Sequence, residues 1–419
     1  MEIEASIPPI KLQAELAIRR CAIRLNKLPT TNTVIQRLPD MWRNNQQPTN
    51  PPPLPQSTNK HRPKTTIQKI AKYMSPEHER INPYAMPPWN WTAASFPNRL
   101  TIASCNPNTN NREAREAHAH YIQSMKNKPD TIYIYTDSSK ITNGGFTQCG
   151  AAAVLYNQDT EINTAQMGLG GHTEVYDAEM AALSIGATQA AEYITVHPNI
   201  THITFFADNA AAVLAIADPR PQAAQIFATN FYNTIRPVLE THNTLTIKIA
   251  WCPSHCCIKG NDRADSLAKE ATQRERQTPY SVSRSNALRR SKNTILKLWQ
   301  IDWRNLPKEG NFAIANHFSP SLKPTSHFLQ LQHDHELFGR LTQCRTGHAY
   351  TGKFRRRFLP HLGESNTCPC DNTTLQTREH ILRESSDSIT LPVILGTRKG
   401  IQAYPPSSRN LEPSQDPEL

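Results

Sequence analysis

The sequence predicts an α/β domain in the middle of the chain: a mixed sheet flanked by helices, with largely disordered or helical segments on either side. Between residues 131 and 272, strand and helix candidates follow the order β-β-β-α-β-α-α-β-α, which predicts helices packed on the faces of a mixed sheet. The whole chain has 33 prolines in 419 residues and only 37% hydrophobic residues. Proline-rich flanks of this kind bury too little apolar surface to offset chain entropy.

The elements of the predicted domain follow from residue patterns. The β-branched and aromatic residues of TIYIYTDSS (131–139) predict a strand that ends in a turn, and strand candidates at 146–156 and 161–168 complete a meander. The remaining candidates are a helix at 173–194, a strand at 201–208, helices at 209–217 and 222–240, a strand at 244–250 and a helix at 261–272.

Six segments are expected along the chain. They are a helical segment at 1–45, a proline-rich linker at 46–128, the α/β domain at 129–272, a helical tether at 273–345, a basic segment with a short cysteine-containing stretch at 346–385, and a disordered tail at 386–419. Helical spacing of apolar residues at 11–27 predicts a basic amphipathic helix there. The dense prolines that follow residue 46 exclude a regular helix or a central strand.

The net charge of +11 indicates a polyanionic partner, because positive potential attracts nucleic acid. Residues 131–270 carry seven Lys or Arg against thirteen Asp or Glu, a net of −6, so the flanks hold +17. We therefore expect nucleic acid to bind through the basic flanks. An ordinary acidic domain with solvated basic tails would give the same charge pattern.

Neither the apolar residues nor the cysteines indicate a membrane or secreted protein. No apolar run approaches the roughly 20 residues that span a bilayer, and the amino terminus has no apolar h-region. The nine cysteines are odd in number and irregularly spaced, which does not fit a disulfide framework. We expect no membrane association and an intracellular location, in the nucleus or the cytoplasm.

Two acidic residues follow strand candidates directly. Asp137 closes the first strand and Asp208 closes the fourth. Nucleases that use two divalent cations need convergent carboxylates at such strand ends. Either residue taken alone could instead cap the turn or helix that follows it.

The helix at 173–194 contains three acids, of which Glu179 is the best candidate for a site residue. At 100° per residue, Glu179 lies roughly 60° from the centre of the apolar stripe, whereas Asp177 and Glu174 point much further from it. A carboxylate that leans toward the core is unfavourable unless it is paired or binds a metal.

The segment WCPSHCCIKGNDRADSLAKEA (251–271) predicts a strand, a loop with His255 and a helix with Asp265 in its first turns. His255 could carry protons near neutral pH. Asp265 could also do no more than compensate the helix dipole, and Asp262 is better explained as a cap or a solvated acid.

Four motifs in order carry a family resemblance: YTDSS (135–139), DAEMAAL (177–183), FADNAAA (206–212) and SHCCIKGNDRAD (254–265). Together they resemble the type 1 ribonuclease H family, in the form carried by non-LTR retrotransposon reverse transcriptases. Residues 5–28 are similar to the segment that follows the polymerase core in such elements. The chain contains no polymerase, so the resemblance suggests a truncated retroelement-derived protein.

The resemblance implies a ribonuclease H-like fold with a five-stranded mixed sheet. It implies that Asp137, Glu179, Asp208 and Asp265 bind two Mg²⁺ ions, with Mn²⁺ as a substitute, and that His255 assists proton transfer or product release. The implied reaction is endonucleolytic hydrolysis of the RNA strand of an RNA–DNA hybrid, which leaves 5′-phosphomonoesters.

Three positions depart from glycines that are common in the family: Ser138, Ser254 and Cys257. Replacing glycine can forbid a positive φ or crowd a closely approaching backbone. One alternative is therefore a catalytically impaired nucleic-acid-binding module. Another is a different nuclease or transposase with the same fold, although the segment from His255 to Asp265 is typical of ribonuclease H.

Two groups of cysteine and histidine residues are candidate zinc ligands. Cys368, Cys370 and His380 resemble the Cys-Cys-His-Cys knuckle found behind ribonuclease H in these retroelements, with the last cysteine expected near Ser385, so we predict a degenerate knuckle. The adjacent ligands Cys252, His255, Cys256 and Cys257 depart from the usual zinc spacing.

Overall fold

The computed structural model describes residues 6–29, 31–37, 78–85, 96–103, 110–307, 319–323, 326–331 and 333–383. The chain divides into two compact units, of which residues 14–294 form the larger. Residues 46–77 of the linker predicted at 46–128, and the predicted tail at 386–419, lie outside the described residues. No helix among the described residues has the length and apolar character needed to cross a bilayer.

A six-stranded mixed sheet forms the centre of the larger unit. Its strands are β1 (Leu100–Ala103), β2 (Thr131–Asn143), β3 (Phe146–Asn157), β4 (Thr160–Gly170), β5 (His202–Ala207) and β6 (Thr246–Trp251). Their order across the sheet is β1-β6-β5-β2-β3-β4. The pairs from β1 to β2 are parallel, and β2, β3 and β4 form the predicted antiparallel meander.

The order of strands and helices between residues 131 and 272 is the predicted one, and the described part of the chain contains the following helices. They are α1 (Ile10–Asn26), α2 (Thr33–Gln36), α3 (Asn111–Met125), α4 (Val175–Val196), α5 (Ala210–Ala215), α6 (Gln225–Thr241), α7 (Lys259–Ala271), α8 (Arg284–Asn305), α9 (Ser326–Leu331), α10 (His335–Thr346), α11 (Gly352–Phe358) and α12 (Arg378–Arg383). In the larger unit, α4 and α6 cover one face of the sheet, and α3 and α7 cover the other. The predicted ribonuclease H-like arrangement of a mixed sheet between helices is confirmed.

The predicted number of strands is wrong by one, because β1 adds a sixth. It pairs in parallel with β6, and the neighbouring Arg99 donates hydrogen bonds to the carbonyls of Leu239 (2.7 Å) and Leu245 (3.0 Å). A strand of four residues is too short to show an alternating pattern in the sequence. It forms because the edge of β6 offers unpaired backbone groups.

Helix α3 also lies in the stretch that the sequence predicts as linker. The buried His118 contacts the Tyr135 hydroxyl of β2 through Nε2 at 2.7 Å, and Tyr121 contacts the Thr204 hydroxyl of β5 at 3.0 Å. Burial lowers the pKa of His118 to about 4, so the imidazole is neutral at pH 7. The sequence pattern obscures this helix because a histidine and a tyrosine provide much of its buried face.

Two glycines let α7 lie unusually close to the sheet. A Cβ on Gly150 of β3 would lie 2.4 Å from the Ala268 carbonyl oxygen, and one on Gly260 would lie 2.2 Å from the Tyr135 ring. Larger residues would therefore push α7 away from β2 and β3. Because α7 carries Asp265, these close contacts also fix the position of that carboxylate.

Asp177 is fully buried, which corrects the prediction that it points away from the core. It lies at the N-terminal end of α4, where its side chain accepts a hydrogen bond from the Glu174 backbone N–H at 2.9 Å in a capping box. Residues 277–289 cover that end: Ser283 N–H donates to the His172 carbonyl (2.9 Å), and the Asn286 amide donates to Glu174 (2.8 Å). A helix-phase argument cannot reveal a covering segment from elsewhere in the chain.

The smaller unit contains short helices joined by tight loops. The basic run KFRRRF lies in α11, which Thr351 caps by accepting a hydrogen bond from the Phe354 backbone N–H. A Cβ on Gly352 would lie 1.9 Å from the Asn366 carbonyl oxygen, so the two backbone segments lie in direct contact.

We expect Gly150→Ala to destabilise the larger unit by about 2 kcal/mol, because the added methyl group meets backbone atoms that cannot rotate away. Gly339→Ala is the matched control, since a Cβ added at Gly339 in α10 would have nothing within 4 Å. Urea denaturation measures both. Equal tolerance of the two substitutions would contradict the close approach of α7.

Candidate active site

Three of the predicted carboxylates converge where β2 separates from β5. Their pairing ends at Thr136 and Ala207, so Asp137 and Asp208 lie side by side at the next positions. Glu179 reaches the same place from the second turn of α4. Each of the three side chains offers an oxygen, and these oxygens all lie within 4.8 Å of one another.

Ser138 orients two of these carboxylates. Its hydroxyl donates to Glu179 Oε1 at 2.7 Å, and its backbone N–H donates to Asp137 Oδ1 at 2.6 Å. The sequence predicts only that Ser138 departs from a common glycine. In the sequence, the feature that could have indicated a hydrogen-bond donor is a serine directly after a strand-end acid.

The second oxygen of Glu179 has no such donor. Oε2 is buried and has no hydrogen-bond partner among the described residues, whereas buried polar atoms are nearly always paired. An unpaired oxygen of this kind, on a side chain that belongs to a group of carboxylates, matches a ligand position for a cation.

The electrostatics of the cluster lead to the same conclusion. Burial, with added repulsion from Asp208 and Asp265, raises the pKa of Asp137 to about 7. Burial and the neighbouring carboxylates also raise the pKa of Glu179 well above its usual value, and the pKa of Asp208 is raised mainly by burial. Carboxylate oxygens are ligands that Mg²⁺ and Mn²⁺ prefer, so the residues present fit a divalent cation.

Asp265 lies beside this cluster but is not part of it. Its charge raises the pKa of Asp137 and of Asp208, which places it near both. Its side chain forms an ion pair with Lys269, one turn later on α7. Of the four predicted metal ligands, the structure brings three together and places the fourth at the edge of the group.

His255 lies on the loop between β6 and α7, with its side chain exposed to solvent. Its charge lowers the pKa of Asp208, so the imidazole is near that carboxylate. His255 and Cys257 both have φ of +55°, a conformation that favours glycine. The departure from glycine at Cys257 therefore falls on a strained position, whereas Ser254 does not have a positive φ.

Two other predictions for this loop concern a zinc site at its cysteines and the role of Asp262. Cys252 is fully buried and donates to Asn261 Oδ1 at 3.2 Å. Among the described residues, the cysteines of this loop form no metal-ligand cluster with His255. Asp262 is exposed, and Ile258 occupies the N-cap position of α7, so Asp262 is a solvated acid.

A second group of ligand atoms lies in the smaller unit. Cys368, Cys370 and His380 bring their ligand atoms within 4.8 Å of one another, and Cys370 Sγ lies 3.0 Å from His380 Nε2. Ser385, where a fourth ligand was expected, lies outside the described residues. A degenerate knuckle, with zinc binding weakened or lost, stays a prediction.

We expect Asp137→Asn to stabilise the metal-free protein by about 1–2 kcal/mol at pH 8, because it removes repulsion in the cluster. The raised pKa means that the folded protein holds a proton that the unfolded chain loses near pH 4, so wild-type stability falls as pH rises from about 4 to about 7. The gain should therefore be smaller at pH 5.

Thermal unfolding with and without Mg²⁺ measures this effect. Mg²⁺ should raise the melting temperature of the wild type at pH 8 and leave that of Asp137→Asn nearly unchanged. Equal Mg²⁺ stabilisation of both proteins would argue against a cation site at Asp137.

We expect Cys257→Gly to stabilise the protein by about 1 kcal/mol, because glycine adopts a positive φ without steric strain. Ser254→Gly is the control from the same loop and should be neutral or destabilising, since it only adds freedom to the unfolded chain. Urea denaturation of the metal-free proteins distinguishes them. A gain for both variants, or for neither, would contradict strain at Cys257.

Comparison with known proteins gives a family match over the segment that contains the acidic cluster. Residues 128–273 match the family model described as RNase H. No curated protein matches the chain significantly.

Solved structures of ribonucleases H align with a third of the chain. RNase H1 from the halophilic archaeon Halobacterium salinarum NRC-1 is 19% identical, covering 34% of this chain and 96% of that chain, with a TM-score of 0.25. LC11-RNase H1, isolated from compost by a metagenomic approach, is 19% identical over the same shares, with a TM-score of 0.27. LC11-RNase H1 in complex with an RNA/DNA hybrid is 16% identical over these shares, with a TM-score of 0.25.

The family match covers the strands from β2 to β6 and the helices that carry the acidic cluster. The order of these elements around the mixed sheet agrees with it. Residues 128–273 therefore form a ribonuclease H-like domain.

Proposed function

We propose that this domain is a Mg²⁺-dependent endoribonuclease that hydrolyses the RNA strand of RNA–DNA hybrids and leaves 5′-phosphomonoesters. The observation that carries the proposal is the convergence of Asp137, Glu179 and Asp208, with an unpartnered buried oxygen on Glu179. The family match over residues 128–273 supports the choice of substrate class.

Each site residue has a distinct task in this proposal. Asp137, Glu179 and Asp208 hold the cations, and Asp265 joins them when its carboxylate turns from Lys269 toward the site. Bound Mg²⁺ ions would supply an activated water nucleophile and stabilise charge on the phosphoryl oxygens. Ser138 keeps Glu179 and Asp137 in the orientation that binding requires.

His255 moves protons at the edge of the site. Its imidazole is exposed to solvent and lies near the Asp208 carboxylate. Because it lies on a loop rather than on a strand, it can exchange protons with solvent and help the product leave.

The substrate must overcome the negative charge of the domain itself. Residues 131–270 carry a net charge of −6, and the rest of the chain carries +17. We propose that the basic flanks supply most of the attraction to phosphates. Within a hybrid, the 2′-hydroxyl lets a protein distinguish the RNA strand from the DNA strand.

The origin and location of the protein also stay proposals. The similarity of residues 5–28 and of the four ribonuclease H motifs to non-LTR retrotransposon reverse transcriptases supports a retroelement origin. Such a protein would meet hybrids in the nucleus or the cytoplasm.

Incubation of the full chain with labelled RNA–DNA hybrid, duplex RNA and duplex DNA tests the proposal. In Mg²⁺ we expect internal cleavage of the hybrid RNA strand alone, and no cleavage in EDTA. Asp137→Asn and Asp265→Asn should each lower the rate by at least about 100-fold, because each removes a charge that holds the cations.

Asp262→Asn is the matched control, since Asp262 is an exposed acid on the same helix as Asp265. It should cleave at the wild-type rate. Hybrid binding without cleavage by the wild type would instead support the catalytically impaired binding module. Equal cleavage by the wild type and Asp137→Asn would exclude this site as the catalytic centre.

A further inference from the structure

A groove lies between α3 and α7 on the face of the sheet opposite α4. Its cavity volume is about 400 Å³, within the roughly 300–1,000 Å³ typical of ligand sites. One wall comes from α3, which precedes the segment that matches the ribonuclease H family. The groove is therefore a feature of this chain's extension as well as of its ribonuclease H-like domain.

The floor of the groove is apolar and rigidly held. It consists of Tyr133, Tyr135 and Tyr156, whose side chains are almost fully buried. The Tyr135 hydroxyl is bound to the neutral His118, and the Tyr133 hydroxyl donates to the Gln158 carbonyl. With the Tyr133 and Tyr135 hydroxyls engaged in hydrogen bonds, the rings that line the groove offer an apolar surface to an aromatic ligand.

The rim of the groove is positively charged. Arg115 and Lys259 are exposed and form no ion pair with any residue that the structure describes. Lys126 forms an ion pair with Asp159 at the other end of the groove. The four groups give a net charge of +2, which is complementary to a phosphate.

The groove leads toward the acidic cluster. Side chains alternate along a strand, so Tyr133, Tyr135 and Asp137 share one face of β2 at spacings of roughly 7 Å. The end of the groove near Lys259 is formed by Cys257, Ile258 and Gly260, directly after the His255 loop. A strand of nucleic acid that passes the carboxylates could continue into the groove.

We propose that this groove binds one unpaired nucleotide of the nucleic-acid strand that occupies the acidic site. The base lies on the tyrosine floor, and its phosphate contacts Arg115 and Lys259. The placement of the nucleic-acid strand at the acidic site rests on the proposed function. The tyrosine floor and the basic rim of the groove do not depend on it. The expected preference is for hybrids with a single-stranded extension.

Two pairs of variants distinguish the effect of changing the groove from the effect of changing the rest of α3. Ala119→Trp fills the groove, and Ala117→Trp adds the same bulk at an exposed position of α3 outside it. Arg115→Ala removes a rim charge, and Arg112→Ala removes an exposed arginine that pairs with Glu116 instead. Circular dichroism confirms that each variant is folded.

Fluorescence anisotropy in EDTA measures binding of the full chain to a blunt hybrid and to the same hybrid with a three-nucleotide RNA extension. We expect the wild type to bind the extended hybrid about fivefold more tightly, a modest value for one base packed on aromatic side chains. Ala119→Trp and Arg115→Ala should abolish this preference. Ala117→Trp and Arg112→Ala should keep it.

Several outcomes would overturn the proposal. The wild type could bind both hybrids equally, or Ala119→Trp could keep the preference. Saturable binding of AMP that Ala119→Trp abolishes, without a preference for the extension, would assign the groove to a free nucleotide. A change of oligomeric state in Ala119→Trp, measured by sedimentation, would assign it to a second copy of the chain.

Cleavage of the blunt hybrid is measured in parallel and separates the two proposals. Normal cleavage without an extension preference excludes only the groove. A groove-dependent preference without cleavage excludes only the catalytic function.

Discussion

Asp137 and Glu179 are buried and Asp208 lies half-buried beside them, and the desolvation and repulsion of these carboxylates oppose folding in the absence of a cation. Burial and the neighbouring charges raise the pKa values of all three carboxyl groups. Proteins keep such strain mainly where function requires it. Here a divalent cation would relieve the repulsion between the carboxylates, and Oε2 of Glu179, which has no hydrogen-bond partner among the described residues, would be one of its ligands.

The surrounding fold holds these groups against that repulsion. Separation of β2 from β5 after Thr136 leaves room for two strand-end acids, and close packing of α7 on Gly150 fixes the helix that carries the neighbouring Asp265. Residues 277–289 anchor the N-terminal end of α4, the helix that carries Glu179. Glu79 joins them by accepting a hydrogen bond from the Arg284 N–H at 2.9 Å. The structural unit thus extends beyond the segment that matches the family.

The sequence predicts the order of elements and points to three acids that the fold brings together, because both depend on local patterns. The positions of Asp137 and Asp208 follow from strand ends, and Glu179 follows from helix phase. Long-range packing escapes this reasoning, as the burial of Asp177 under residues 277–289 shows. The ion pair that holds Asp265 and the hydrogen bonds of Ser138 likewise depend on the folded geometry.

Calorimetric titration of Mn²⁺ into the full chain at pH 7, in two buffers of different protonation enthalpy, tests the central claim most directly. We expect saturable binding with release of protons, because the pKa of Asp137 is about 7 in the metal-free protein. Glu179→Gln should weaken this binding at least about tenfold. No saturable binding, or unchanged binding in Glu179→Gln, would contradict a cation site built from these carboxylates.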